Sequence, residues 1–228
     1  MPGIVPPSSS RHDWPRVVRI GCCPIPLQRL QSFLGALQVQ APCVETEVLH
    51  LDTAEQVARL RAGDLDLGVI DYAEPAPPLR MQPLYAGERV AVVLSPGHPL
   101  AARPAIRPGD LAGETLLSPS RTANPAFHDV LDRALSGAGH RVRGWRETRG
   151  SDPHDVLFGV AQGQGVALGP SSILRSAGEL GAILSSCLLD PPVHLPDIQL
   201  AWRADLPSAL ADVAQEVAAK LYAFSTRQ

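Results

Sequence analysis

Cysteine is scarce. Cys22, Cys23, Cys43 and Cys187 are four in 228 residues and unevenly spaced, which excludes a disulfide framework. Cys22 and Cys23 are neighbours on an apolar stretch, so on a strand they point to opposite faces and do not readily bridge. Small-residue core packing is the plain reading of that pair, and a redox sensor the sharper one. Long hydrophobic runs are also missing: none reaches the ~18 residues of a membrane span. The N-terminus holds no signal-peptide core, so a cytoplasmic protein with no membrane partner is expected. Positive charge is not in excess, with a net charge of −3. The one cluster, Arg141, Arg143, Arg146 and Arg149, fits the exposed face of a strand better than a phosphate-binding surface, so no direct DNA binding is expected of this chain alone. Enzyme motifs are absent as well. The seven His lack metal-ligand spacing, and there is no G-x-S-x-G elbow or P-loop lysine. Gly163-Gln164-Gly165 leads into a strand rather than a helix, which disfavours a phosphate cradle. No catalytic residue, metal or cofactor is expected. His154-Asp155 as a base and its orienter is the remaining enzymatic reading, against solvated residues in the first turn of a helix.

What is present is an alternation of strands and helices. Hydrophobic residues make up 45% of the chain and charged residues 19%, enough for a sizeable core. Residues 1–16, rich in Pro and Ser, read as a flexible leader. Strands are predicted at Val17–Cys22, Val44–Leu51, Leu65–Asp71, Leu79–Leu84 and Arg89–Ser95, with a Pro-rich loop at Tyr72–Pro78. Helices are predicted at Pro26–Val39, with Leu27, Leu30, Leu34 and Leu37 on one face, and up to Gly63, with Thr53 and Gln56 as a capping box. Gly63 supplies the left-handed turn that closes that helix. A second set follows: strand Thr115–Ser118, helix Pro125–Ser136, strand Val142–Thr148, helix Pro153–Gln162 and strand Gly165–Leu168. Asn124-Pro125 and Asp152-Pro153 each join a capping residue to a proline at the first helical position. His194–Trp202 reads as a strand and Leu206–Phe224 as the last helix. A helix feeding a short buried strand this tightly defines an α/β fold with mostly parallel strands.

Four segments, in order, resemble a known family. Leu60-Arg61-Ala62-Gly63-Asp64-Leu65-Asp66-Leu67 is similar to the "L-R-x-G-x-L-D-L" of the effector-sensing domain of LysR-type transcriptional regulators. Ser95-Pro96-Gly97-His98-Pro99-Leu100-Ala101 resembles that family's "H-P-L-A" segment, where its chain crosses into the second lobe. Ala161 to Pro170 resembles "A-x-G-x-G-I-A-L-L-P", and Ala201-Trp202-Arg203 its "x-W-R" ending. The resemblance covers about Val17 to Phe224. It implies a type 2 periplasmic-binding-protein-like fold: two Rossmann-like α/β lobes, two crossovers and a ligand cleft between them. With the Pro-rich breaks at Pro96–Pro99 and Pro191–Pro192, lobe one is expected at 17–97 plus 192–225 and lobe two at 98–191. The implied function is small-molecule effector sensing. Residues 1–16 are too few for the family's winged helix-turn-helix, so the expectation is a sensor without its DNA reader. A stand-alone solute-binding or regulatory protein of the same fold is the alternative.

In such sheets ligands bind beyond the carboxyl ends of the strands, where helix N-termini offer free N–H groups. Three corners qualify: Cys22 to Leu27, Ser118 to Asn124, and Thr148 to Asp152. Ser118, Ser120, Thr122, Thr148 and Ser151 are the candidate contacts, with Pro24 and Ile25 as an apolar floor. Their hydroxyls equally suit plain capping of turns. The first corner departs from the family, which usually carries Ser or Thr where Ile25 and Pro26 stand. The implied partner is thus a small organic effector, an acid or something more apolar. Arg121 either pairs bidentately with an acidic effector or faces solvent. Trp202 either walls the cleft or sits in the core. A homodimer through the first helix and second strand is implied by the resemblance, with Phe33 as surplus apolar surface or as a wider core stripe.

Overall fold

The computed structural model describes residues 15–71, 76–136, 143–148, 152–176 and 178–227. The leader up to residue 14, the loop at 72–75, Arg141, Val142, Arg149 and Ser151 lie outside the described residues.

Lobe one opens with β1 (Val17–Cys22), α1 (Leu27–Gln40), β2 (Glu45–His50), α2 (Thr53–Ala62) and β3 (Leu67–Ile70). β1 lies parallel between β2 and β3. α1 buries Leu30, Phe33 and Leu37 on one side, at helical spacing, against the apolar face of β1 and β3. Phe33 is therefore a core residue, not surplus surface. α2 closes at Gly63 with φ 86°, the left-handed conformation that glycine tolerates best. Its start differs from the predicted capping box. Asp52 is the N-cap, its carboxylate accepting from Glu55 N at 2.8 Å. Thr53 is already helical, and the Gln56 amide is buried, donating to Leu51 O at 3.0 Å and Val69 O at 3.1 Å. An aspartate one residue upstream is the stronger acceptor for the orphan helical N–H groups, and it takes the cap.

β4 (Arg80–Tyr85) completes lobe one's first passage, but β5 (Val90–Leu94) belongs to the other sheet. The first crossover therefore falls at 86–89, ahead of the Ser95–Pro99 segment. The expected lobe-one boundary at residue 97 is too late. The Pro96-Gly97 turn ends β5 inside lobe two, and His98 then caps a short helical turn, its Nδ1 accepting from Leu100 N at 3.2 Å. Lobe two continues with β6 (Thr115–Ser118), α3 (Pro125–Ser136), β7 (Gly144–Glu147), α4 (Pro153–Ala161), β8 (Val166–Pro170), α5 (Ile173–Ser176), α6 (Gly178–Ile183) and β9 (Ser185–Leu188). The chain returns to lobe one as β10 (Ile198–Trp202) and α7 (Ser208–Ser225).

The sheets are built alike. Their orders are β2-β1-β3-β10-β4 and β7-β6-β8-β5-β9. In each, three parallel strands meet a fourth, antiparallel strand that has just arrived from the other lobe. Each lobe has its own apolar core, centred on Val18, Ile20, Phe33, Leu200 and Val217 in one and on Val92, Leu116, Leu131 and Val166 in the other.

The two crossovers run side by side. Val90 N donates to Val193 O at 2.8 Å and Leu195 N to Glu88 O at 2.9 Å. They approach so closely that a Cβ on Gly87 would stand 1.8 Å from Leu195 O, so only glycine fits. Gly87 N also donates to Asp197 Oδ1 at 2.9 Å, and Tyr222 OH of α7 donates to Asp197 Oδ2 at 2.8 Å. The crossovers are thus fastened to the last helix. No helix among the described residues is long and apolar enough to cross a membrane.

Candidate functional site

The carboxyl ends of the parallel strands of both lobes open onto one cleft of 570 Å³. That size suits a small organic molecule. Lobe one lines it after β1 (Pro24, Ile25, Pro26), after β2 (His50 to Thr53) and at Asp71 after β3. Lobe two lines it after β6 (Pro119, Ala123, Asn124, Phe127), at the start of α4 (Asp152 to His154, Val156, Leu157) and along the end of β8 (Leu168 to Ile173, without Ser171). The surfaces are largely apolar, from Ile25, Phe127, Val156, Leu157 and Ile173.

Four helices begin at this cleft, and three are capped by the chain's own side chains. Asp52 caps α2, as above. Asn124 Oδ1 accepts from Phe127 N at 3.2 Å at the head of α3. Asp152 Oδ1 accepts from His154 N and from the His154 ring, each at 2.9 Å, at the head of α4. Burial would push the Asp152 carboxyl up, but these two donors hold it below the ordinary carboxylate range. The prolines Pro26, Pro125 and Pro153 remove further backbone donors.

Asp71 forms the floor. Thr53 Oγ1 lies 2.5 Å from Asp71 Oδ1 and 3.1 Å from Asp71 O. Asn124, which lines the cleft from lobe two, is near enough to act on the same carboxyl. Burial pushes the Asp71 carboxyl up, the Thr53 hydroxyl, its own backbone N–H and Asn124 pull it down, and nearby Asp52 raises it further; the balance is upward. Behind it, Cys22 is pushed up to about 12 by burial and by Asp71, so it stays an unreactive thiol. All four cysteines are free, and the redox-sensor reading of Cys22 and Cys23 finds no thiolate to act through.

At the back, Glu88 of the crossover gathers both lobes. Arg29 Nη2 of α1 lies 3.1 Å from Glu88 Oε1, with its guanidinium over the Tyr85 ring. Ser172 Oγ donates to Glu88 at 2.7 Å, Ser172 N at 2.8 Å and Ser171 Oγ at 3.0 Å.

Of the residues singled out in the sequence, Pro24 and Ile25 line the cleft. Ser118 ends β6, buried, its hydroxyl unpartnered among the described residues and one position before the cleft-lining Pro119. Ser120 and Thr122 are hydrogen-bonded to each other at 2.8 Å, and Thr148 Oγ1 donates to Ser118 O at 3.3 Å; none of these three lines the cleft. Ser151 lies outside the described residues. Arg121 turns away, pairing with Asp129 and, at 2.8 Å, with Asp132 on α3. Trp202 is core: β10 runs antiparallel, so its carboxyl end lies opposite Leu67 at the start of β3, away from the cleft. Asp52, Asp71, Phe127, Leu157 and Ser172 line the cleft without being among the candidate contacts, as does Thr53, read from the sequence only as a helix cap. The rule that ligands sit beyond strand carboxyl ends points to the corners after β2, β3 and β8 as much as to the three chosen.

Two lobes of matching topology with a lined cleft between them define a ligand-binding domain. The family model described as the LysR substrate binding domain matches residues 11–221, and the chain belongs to that family. The HTH-type transcriptional regulator IlvR of Caulobacter vibrioides is 31% identical over 173 residues, 72% of this chain and 53% of the regulator. The HTH-type transcriptional regulator MetR of Salmonella typhimurium is 36% identical over 91 residues, 40% of this chain and 28% of the regulator. The chain thus spans about half or less of the length of the curated relatives it matches. Among solved structures, the effector binding domain of a BenM variant superposes with a TM-score of 0.76 at 24% identity, covering 93% of this chain and 97% of that one. The BenM effector binding domain with its effector benzoate gives 0.71 at 25% identity, covering 93% and 94%.

Proposed function

We propose that this domain senses a small organic effector for a LysR-type transcriptional regulator. The observation that carries the reading is the 570 Å³ cleft, lined from both lobes at the carboxyl ends of their parallel strands. A molecule bridging Ile25 and Thr53 to Phe127 and Leu157 would favour a closed arrangement of the lobes over an open one. It shifts that equilibrium only by its differential affinity for the two. Rotation would be absorbed at the paired crossovers around Gly87 and Leu195. The family relation to DNA-binding regulators supports a readout through transcription, in the cytoplasm, with no catalytic step in this domain.

The reading includes a homodimer that carries the lobe movement to a partner copy. Its support is α1, whose Leu27 and Val39 are exposed at 65% and 81%. Thermal-shift screening of a panel of amino acids, aromatic acids and aliphatic amines tests the proposal. A binder raises the melting temperature in a concentration-dependent way. Substituting Ile25 by Trp, which fills the cleft from its floor, abolishes the shift. A panel without any binder, or binding untouched by Ile25→Trp, counts against the reading.

A further inference from the structure

The cleft's charge is one-sided. Asp52, Glu55, Asp71 and Asp152 line it, and no Lys or Arg does among the described residues. Glu55 is held by Arg59 at 2.6 Å, and Asp152 by His154. Asp71 has hydroxyl and amide partners but no cation paired to it among the described residues. The neighbouring Arg29 is committed to Glu88 and to the face of Tyr85.

An anionic effector would need donors, and at three of the four helix starts, all but that of α1, the chain's own side chains compete for them. The N-terminal N–H groups of α2, α3 and α4 are met by Asp52, Asn124 and Asp152, and the Ser172 N–H by Glu88. A carboxylate entering this cleft would face Asp52 and Asp152 at two of the positions where an anion site presents free N–H groups, and Asp71 at the floor. A cation would find the reverse: an acceptor-rich floor beneath apolar walls.

We propose that the effector carries a protonated amine that pairs with Asp71 at the cleft floor, and an apolar body seated against Phe127, Leu157 and Ile173. This rests on the reading of the cleft as the effector site and names the chemical class it takes. Asp71 is the residue for the task because its carboxyl is half-buried, so an ion pair there is only weakly screened by water. Thr53 of lobe one holds the carboxylate in place, and Asn124 lines the same cleft from lobe two. An ammonium drawn to Asp71, with its apolar body against lobe two, therefore bridges the two lobes, which couples binding to closure. Burial displaces the Asp71 carboxyl upward, and a cation beside it would offset that cost.

The test uses matched pairs that differ only in the charged group: phenethylamine against hydrocinnamate, and butylamine against valerate. Thermal shift and isothermal titration are run at pH 7 on the wild type and on Asp71→Asn. The expected result is saturable stabilisation by an amine, none by the matched acid, and roughly tenfold or greater weakening in Asp71→Asn, as for loss of a charge-assisted contact. The variant's own melting temperature reports that it is folded. Acids binding in place of amines overturn the proposal but leave the sensor reading intact, as does amine binding unaffected by Asp71→Asn. Absence of binding by every compound here and across the wider panel overturns both.

Discussion

Arg29 and Glu88 join lobe one to the hinge. Their 3.1 Å ion pair links α1 to the first crossover, while the same carboxylate accepts three hydrogen bonds from Ser171 and Ser172 of lobe two. Glu88 is therefore a shared anchor, and any rotation of the lobes strains one side of it. Glu88→Gln keeps the shape but removes the charge. It is expected to lower stability by about 1.5–3 kcal/mol, the range for hydrogen bonds to a charged group. Urea denaturation measures this, and a loss below about 0.5 kcal/mol would show that Glu88 is not an anchor.

Gly87 is the closest approach of the two crossovers. Gly87→Ala forces a Cβ into space held by Leu195 O, 1.8 Å away, and backbone cannot move aside as a flexible side chain does. The expected loss is on the order of 3 kcal/mol, at the upper end for overpacking. It is accompanied by a changed scattering profile, since the lobes must re-orient. An unchanged melting temperature and profile would contradict this account of the hinge.

Asp71 gives a pH signature. Its folded-state carboxyl is displaced upward, first by burial. The folded state then holds the proton more tightly than the unfolded chain, so this group's contribution to stability falls as pH rises through that window and is unfavourable at neutral pH. Asp71→Asn is therefore expected to raise the melting temperature at pH 7 without ligand, by about 2–4 °C per kcal/mol relieved. The gain shrinks as pH falls into the ordinary carboxylate range. A variant less stable than wild type at pH 7 would give Asp71 a structural role instead.

The exposed residues of α1 bear on assembly. Leu27 and Val39 bracket the helix, at 65% and 81% exposure. In a twofold contact one substitution strikes twice. Val39→Glu is expected to turn a dimer into a monomer in light scattering at micromolar concentration, with the fold unchanged. A dimer that survives both Leu27→Glu and Val39→Glu would place the interface elsewhere.

Much of this architecture was legible because local signals and tertiary packing agree. β1 and β6 fall where their apolar runs place them, α3 starts at the Asn124-Pro125 cap, and Gly63 ends α2. The lobe boundary was less legible. β5 has the apolar look of any buried strand, and nothing local tells which sheet it will join; only pairing with β8 and β9 decides that. The short α5, α6 and β9 carry too few residues for a period to show. At the cleft, Pro24 and Ile25 followed from the position of the first strand's end. Arg121 and Trp202 did not belong there. The first found Asp129 and Asp132 on its own lobe, and the second sits on an antiparallel strand whose end points away. Asp71 was hidden in the tail of an apolar strand, and its weight comes from Thr53 and Asn124, 18 positions away for the first and on the other lobe for the second.

Hydrogen–deuterium exchange of the whole chain, with and without the compound giving the largest thermal shift, tests the central claim most directly. If the cleft is the effector site, ligand protects segments of both lobes together: 23–27 and 50–56 on one side, 119–127 and 152–157 on the other. Protection confined to one lobe, or lying outside these segments, would contradict it.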